Sequence, residues 1–251
     1  MIVTKERKDI NSLIYLNSID ELDYIKENNK YIEVGASTPL IKFESFAKKY
    51  FPDFSQILKR YGSVQIRNVC TIAGNIATAS PIGDTLPLLL ALDSQIIVKG
   101  KDKTKILSIN GFFTNYRKTK LKKGQFIHSI RIPFLRQNIF KAYKISKRID
   151  DDISSVCGSF NLEIINKKIK NVKIAYGGMA PIPKRATNCE KILINSIFSE
   201  ETFKKAEKKL EKDFAPIDDM RASKGYRMEI AKNLLTKCFI EIKKQKLIRL
   251  N

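Results

Sequence analysis

The feature that most constrains this chain is a run of small residues inside the segment 61–92, YGSVQIRNVCTIAGNIATASPIGDTLPLLLAL. The run has few side chains to bury, and a leucine-rich stretch follows it. Backbone N–H groups, hydroxyls and the Asn75 amide can approach an anionic ligand closely here, because no bulky side chain stands in the way. The carboxylate of Asp84 can accept hydrogen bonds from ligand hydroxyls. This composition favours a ligand-binding loop and a tight structural crossover equally.

The order of the residues separates these two readings. The stretch IRNVCTIAGNIATASPIGDTLPLLLALD closely resembles the flavin-binding signature of the molybdenum hydroxylase family, in particular that of the xanthine dehydrogenase type. Five further segments match in family order and spacing: VGASTPL, YRKTKLKKGQFIHSIRIP, YKISKRIDDDIS, YGGMAPIPKRA and DFAPIDDMRASKGYR. Six segments in register cover nearly the whole chain, which makes the resemblance strong.

The resemblance implies an α+β fold in two parts. The first is an incomplete FAD-binding domain of the PCMH type, similar to that of vanillyl-alcohol oxidase. The second resembles the C-terminal domain of the CO dehydrogenase flavoprotein, a three-stranded antiparallel sheet with helices. We expect the FAD-binding domain at 1–139 and the C-terminal subdomain at 140–251, although two subdomains that share a ligand cleft fit equally well.

Hydrophobic periodicity predicts the elements of both parts. In the first part we expect strands at 12–16, 31–34 and 126–132, helices at 18–28, 40–50, 54–61 and 85–92, and a hairpin at 94–108. In the second part we expect strands at 143–146, 153–165 and 169–176, followed by helices at 187–193, 199–210 and 225–244.

Five consecutive residues are implied by the resemblance to hold the pyrophosphate of FAD, through backbone N–H groups and one side-chain amide. They are Thr71, Ile72, Ala73, Gly74 and Asn75. Family members usually have glycine where this chain has Ala73. If that position needs a positive φ, alanine costs roughly 1 kcal/mol or more.

Four more residues are implied to contact the cofactor. Asp84 would meet a flavin-side hydroxyl or amide, Tyr61 would lie beside the flavin or the adenine, and Ile127 would make an apolar contact. Lys144 would lie near the isoalloxazine, where an ammonium stabilises the anionic reduced flavin. The residue types alone leave open a helix cap for Asp84 and a core aromatic for Tyr61.

The function implied by the resemblance is electron transfer. Electrons from the oxidation of xanthine, hypoxanthine or a similar substrate at a molybdenum centre would pass through [2Fe–2S] clusters to FAD, and then to NAD as hydride. The implied partners are a large subunit with the molybdenum cofactor and a [2Fe–2S] domain or subunit. Within this chain we expect FAD as the cofactor, no catalytic residue and no metal ligand.

Net charge and cysteine content indicate whether the chain could belong to another class of protein. The formal net charge of +21 attracts nucleic acid in general. The lysines are nevertheless spread widely, without an aromatic platform for bases. The four cysteines form no CxxC pair, which argues against a zinc or iron–sulfur site and fits reduced thiols in a cytoplasmic protein. The alternative hypothesis is a truncated or degenerate flavin domain that acts as a non-catalytic basic scaffold or binds nucleic acid.

Relatives carry a further glycine-rich, GGTDL-like loop upstream of the segment that the beginning of this sequence matches. That loop grips the other side of the FAD pyrophosphate. A cofactor that is held by two loops loses much of its contact when one is absent. We therefore expect weak or absent FAD binding by the isolated chain, and normal binding once a partner supplies the loop.

Overall fold

A five-stranded antiparallel sheet organises the first part of the chain. The computed structural model describes residues 7, 9, 13–101 and 103–244. The strands of this part are β1 (Ile25–Glu27), β2 (Tyr31–Gly35), β3 (Gln95–Lys99), β4 (Thr104–Ser108), β5 (Phe113–Asn115), β6 (Lys118–Thr119) and β7 (Phe126–Pro133). The sheet has the order β1-β2-β7-β3-β4, while β5 and β6 form a separate hairpin.

The first part of the chain also has five helices, which lie between its strands in the sequence. They are α1 (Leu40–Tyr50), α2 (Pro52–Lys59), α3 (Val64–Val69), α4 (Ile72–Thr78) and α5 (Thr85–Ala91). The helix α1 forms because Leu40, Phe43 and Ala47 recur on one face and are fully buried. Pro52 at the start of α2 fits a position where no intrahelical N–H bond is required.

The second part is a four-stranded antiparallel sheet with helices. Its strands are β8 (Asn138–Ile145), β9 (Val156–Ile165), β10 (Lys168–Gly177) and β11 (Lys184–Arg185), in the order β11-β10-β9-β8. Its helices are α6 (Thr187–Leu193), α7 (Glu200–Glu207), α8 (Leu210–Asp213) and α9 (Lys224–Lys244). Strands are present at the three predicted places, although β8 begins five residues before the predicted strand at 143–146 and β9 begins three residues after the predicted start at 153. The strand β11 adds a two-residue fourth strand.

The second sheet is buried on both faces, which fixes it against the first part. Along β9, Val156 and Phe160 belong to a core shared with the helices α6 to α9, whereas Cys157 belongs to the core of the first part. The buried Asn161 also donates from Nδ2 to the α5 carbonyl oxygen of Ala91 at 3.0 Å. The domain boundary near residue 139 stays a prediction.

Two predictions for the beginning of the chain are wrong. The capping-box helix at 18–28 is replaced by a 3-10 turn at Asp20–Leu22 and by the strand β1, because residues of this segment pair with β2, for example Ile25 with Val34. No strand is present at residues 13–16, where Leu13, Ile14 and Tyr15 are 61–81% exposed. Ser12, the first residue of that predicted strand, lies outside the described residues.

The segment expected as a loop is mostly helical. The helix α3 precedes the small-residue run, α4 occupies much of that run, and Ala79 ends α4 in the left-handed conformation with φ of 49°. Small side chains here let short helices approach neighbouring backbone closely. Among the described residues, no helix has the length and apolar character that a membrane crossing requires.

Candidate functional site

A cleft of about 680 Å³ lies between the two parts of the chain. One wall comes from the helices α3 and α4 and the turn at 80–84 that follows them. The facing wall comes from Lys144 at the end of β8 and the loop residues Asp151, Asp152 and Ile153. Ligand sites in proteins usually measure about 300–1,000 Å³, so this cleft has room for a large organic ligand.

Six of the nine predicted site residues line this cleft: Tyr61, Thr71, Gly74, Asn75, Asp84 and Lys144. The other three do not. Ile72 and Ala73 are buried on the core side of α4, and Ile127 is buried in β7. Ala73 lies in a regular helix and is not among the residues with positive φ. The backbone cost considered for alanine at this position therefore does not arise.

The start of α4 is capped by its own side chain. The Thr71 hydroxyl oxygen accepts a hydrogen bond from the Gly74 N–H at 2.9 Å, and the Thr71 carbonyl accepts from the Asn75 N–H at 3.0 Å. These two N–H groups are thus engaged within the chain rather than turned toward a ligand. A Cβ added at Gly74 would meet only Thr71 Oγ1, at 3.2 Å. The absence of a side chain at this position leaves more room on this side of the cleft.

The Asn75 amide joins three segments of the cleft wall. Its Nδ2 donates to the Tyr61 hydroxyl at 3.2 Å, and its Oδ1 accepts from the Thr85 hydroxyl at 2.5 Å. A Cβ at Gly83 would lie 3.0 Å from the same amide, so only glycine leaves room for it. Burial, and to a smaller extent Cys70 and Asp84, raises the pKa of the Tyr61 phenol. That hydroxyl therefore keeps its proton and can donate a hydrogen bond into the cleft.

Asp84 and Lys144 form an ion pair that crosses between the two parts. Both residues are 5% exposed, and Lys144 Nζ lies 2.7 Å from Asp84 Oδ2. The other oxygen, Asp84 Oδ1, accepts from the Ser154 hydroxyl at 2.5 Å. Asp84 stands just before α5 but makes no capping hydrogen bond. Its carboxylate is the counter-ion of Lys144. It is therefore neither the helix cap that the residue type left open nor a carboxylate free for ligand hydroxyls.

Arg60 forms hydrogen bonds that hold the segment with Lys144 in place. Lys144 Nζ donates to the Arg60 carbonyl at 2.9 Å, and Arg60 Nη1 donates to the Lys144 carbonyl at 2.9 Å. Arg60 Nε also donates to the carbonyl of Ile149 at 2.9 Å. The lysine is therefore held at both its backbone and its side chain by the end of α2.

Sequence reasoning missed four residues of this site. Ser154 and Arg117 lie inside matched segments but were given no role, although Arg117 lines the cleft. Arg221, which lies in a third matched segment, also lines the cleft and forms an ion pair with Asp219 at 3.6 Å. No sequence signal pointed to Arg60, because the partners of its side chain, two main-chain carbonyls and the Ser146 hydroxyl, lie more than 80 residues away.

Comparison with protein families matches both parts of the chain. Residues 1–135 match the family described as FAD binding domain in molybdopterin dehydrogenase. Residues 141–242 match the family described as CO dehydrogenase flavoprotein C-terminal domain.

Similar curated proteins include oxidoreductases of several kinds. The xanthine dehydrogenases of Blastobotrys adeninivorans and Emericella nidulans are 36% and 33% identical over 77% and 74% of this chain. The chain spans only 15% of the length of each of these two proteins. The glyceraldehyde dehydrogenase medium chain of Sulfolobus acidocaldarius is 28% identical over 92% of this chain and 82% of its own length.

Solved structures with the same fold include two enzymes. The carbon monoxide dehydrogenase of Hydrogenophaga pseudoflava aligns with a TM-score of 0.84 at 23% identity, over 88% of this chain and 78% of that chain. Quinoline 2-oxidoreductase of Pseudomonas putida 86 aligns with a TM-score of 0.82 at 18% identity, over 93% of this chain and 82% of that chain. At these identities the likeness shows the fold alone, and it matches the predicted fold class.

Proposed function

The chain belongs to the family of FAD-binding domains in molybdopterin dehydrogenases, and from this premise we propose that it binds FAD in the cleft between its two parts and acts there as the electron outlet of a molybdenum hydroxylase. Family membership does not favour the alternative of a basic scaffold or nucleic-acid-binding protein.

The observation that carries the proposal is the gathering of Asn75, Asp84 and Lys144 at one cleft, although Lys144 lies 60 residues after Asp84 in the sequence. The cleft also fits a dinucleotide cofactor physically. Gly74 lines it without a side chain, Gly83 leaves room for the Asn75 amide, and the Tyr61 hydroxyl and that amide supply polar groups along one wall. A few placed polar groups in a large cleft are typical of cofactor sites.

Each residue has a role in this proposal. Tyr61 and Asn75, which are hydrogen-bonded to each other, orient the cofactor on the α4 side. Lys144 presents a buried positive charge from the opposite side, and Asp84 holds it in place. Bound FAD supplies two-electron redox chemistry, which these residues do not carry themselves. A fixed positive charge beside the cofactor favours its reduced, more negative form.

The electron path beyond this chain follows from the same proposal. Electrons would arrive from [2Fe–2S] clusters and a molybdenum centre on partner domains or subunits, and they would leave as hydride to NAD. Xanthine, hypoxanthine or a similar heterocycle is the substrate class we assign to the molybdenum partner. The similarity to xanthine dehydrogenases over most of this chain supports that assignment.

Two measurements test the proposal. The protein, purified with the subunits that its genomic neighbours encode, is titrated with FAD while flavin fluorescence is followed, and NADH-to-dye diaphorase activity is then measured. We expect saturable FAD binding and diaphorase activity, with both weakened by Lys144→Met. Lys173→Met is the matched control, because Lys173 is ion-paired with Asp93 at 2.8 Å and does not line the cleft. A wild-type complex that takes up no FAD would refute the proposal.

A further inference from the structure

We propose that Ser154 is a positioning residue, whose hydroxyl fixes the Asp84 carboxylate and thereby sets how strongly Lys144 favours the reduced cofactor. This inference rests on the proposed function, because it concerns a flavin bound in the same cleft. It adds a residue of the C-terminal part to the site, beyond those that the family resemblance implies.

The two oxygens of the Asp84 carboxylate accept hydrogen bonds from two different donors. Asp84 Oδ1 accepts from the Ser154 hydroxyl at 2.5 Å, while Asp84 Oδ2 accepts from Lys144 Nζ at 2.7 Å. Ser154 is only 2% exposed and each member of the ion pair only 5%. Since water has little access to these atoms, the Ser154 hydroxyl is a fixed partner of this carboxylate.

The backbone around Ser154 is held from two sides, so the hydroxyl has a defined position. The next residue, Ser155, donates its N–H to the Ile145 carbonyl at 2.8 Å. The carbonyl of Ser155 accepts a hydrogen bond from the buried guanidinium of Arg227. Ser154 therefore has a fixed backbone from which to orient Asp84.

Lys144 has one N–H that these contacts do not use. An ammonium has three donors. One goes to Asp84 and a second goes to the Arg60 carbonyl at 2.9 Å. Because Lys144 lines the cleft, the third donor is the one available to a bound cofactor. Any shift of Asp84 would turn the ammonium and move this donor.

The sign of the electrostatic effect follows from the hydroxyl dipole. The Ser154 O–H points its positive end at Asp84 and offsets part of the negative charge that opposes Lys144. Without the hydroxyl, Asp84 would cancel more of the lysine charge at the cleft. Negative charge that develops on a reduced isoalloxazine would then be stabilised less, and the cofactor would be harder to reduce.

The test is the midpoint potential of the flavin-loaded protein, with the FAD dissociation constant measured alongside. For Ser154→Ala we expect the equilibrium constant for flavin reduction to fall three- to tenfold. This corresponds to a potential about 15 to 30 mV more negative for a two-electron couple. Ser154→Thr should restore the wild-type potential, and Ser154→Cys, which keeps a weaker donor, should fall between the two.

Ser159→Ala is the matched control for the loss of a buried hydroxyl. Ser159 lies on the same strand that follows Ser154, is fully buried, and its Oγ has no hydrogen-bond partner among the described residues. We expect its potential to equal that of the wild type. An unchanged potential and FAD affinity in Ser154→Ala, even with a lowered melting temperature, would show a purely structural role and overturn the inference. If the wild-type protein bound no flavin, the proposed function itself would instead be refuted.

Discussion

Asp84 and Lys144 form a buried ion pair, and its contribution to the stability of the protein can be measured. Both side chains are at most 6% exposed and their charged atoms are 2.7 Å apart. Removing one partner of a buried pair leaves the other charge uncompensated, which typically costs about 3–5 kcal/mol. We expect Asp84→Asn to lower the free energy of unfolding by about 3 kcal/mol, measured by urea denaturation. The double variant Asp84→Asn, Lys144→Met should recover part of this loss.

An exposed pair provides the comparison. Asp93 and Lys173 are also 2.8 Å apart, but their side chains are 45% and 22% exposed. Solvent-exposed pairs contribute about 0–1 kcal/mol, so Asp93→Asn should cost less than about 1 kcal/mol. Equal losses for Asp84→Asn and Asp93→Asn would show that burial gives the Asp84–Lys144 pair no special weight.

At the scale of single residues, the sequence predicted which side chains meet but not what they contact. Asn75, Asp84 and Lys144 were expected at one site, and they line one cleft. Their actual partners are 10, 60 and 70 residues apart in sequence, as for Thr85 with Asn75, Lys144 with Asp84, and Ser154 with Asp84. Such contacts depend on how the two sheets pack together, which a local sequence pattern does not reveal.

The strand β7 carries the only histidine of the chain, and this makes its pH response testable. Burial, together with the positive charge of Lys99, lowers the pKa of His128 below its usual value of 6.5, although Glu33 acts in the opposite direction. The folded protein therefore holds this imidazole neutral at a pH where the unfolded chain protonates it. The stability that results is fully present above pH 6.5 and is lost as the pH falls through the folded-state pKa.

His128→Gln should remove this dependence. Between about pH 7 and pH 5, the free energy of unfolding should fall more in the wild type than in the variant, as measured by urea denaturation at several pH values. Both proteins keep the same carboxylates, so the difference between their curves isolates the imidazole. Parallel curves over this range would mean that His128 has the same pKa in the folded and unfolded states.

The turn after β10 requires glycine, and this can be tested with a second glycine as control. Gly178 has a φ of +83°, and an added Cβ would lie 2.3 Å from the Ser155 carbonyl oxygen. We expect Gly178→Ala to lower the free energy of unfolding by more than about 2 kcal/mol, measured by urea denaturation.

Gly225 offers the opposite case. It lies in the first turn of α9, and an added Cβ would meet nothing within 4 Å. Gly225→Ala should therefore leave stability unchanged or raise it by up to about 1 kcal/mol, because alanine is the better helix former. Similar losses in both variants would argue against the steric account of the Gly178 turn.

At the scale of elements, periodic patterns predicted a helix with one buried face, and they missed a strand that forms by pairing with a neighbouring strand. The helix α1 was predicted because Leu40, Phe43 and Ala47 recur on one face, and that face is buried. The segment 18–28 has helix-capping residues, yet it forms β1 because β2 offers backbone partners. Local propensity is a weak prior that tertiary contacts override.

At the scale of the whole molecule, the described residues show no clean division between the cores of the two larger sheets. Phe140, Ala142 and Cys157 lie after the predicted boundary at residue 139, yet they belong to the core of the first part. The N–H of Ala142 also donates to the carboxylate of Asp53 on α2, at 3.2 Å. The sequence predicted the two parts from their separate patterns of strands and helices. It did not predict the shared core, because a strand buried on both faces shows no sign of what covers each face.

This shared core predicts how the protein unfolds. If the first part separated from the second sheet, Phe140 and Cys157 of that sheet, which are 8% and 1% exposed in the folded chain, would become exposed, and the buried Asp84–Lys144 pair would break. We therefore expect both parts to unfold in one transition, with equal calorimetric and van't Hoff enthalpies in differential scanning calorimetry. Asp84→Asn should lower the melting temperature of that single transition. Two separate heat-absorption peaks, of which Asp84→Asn shifts only one, would show that the parts are independent domains whose contacts contribute little to stability.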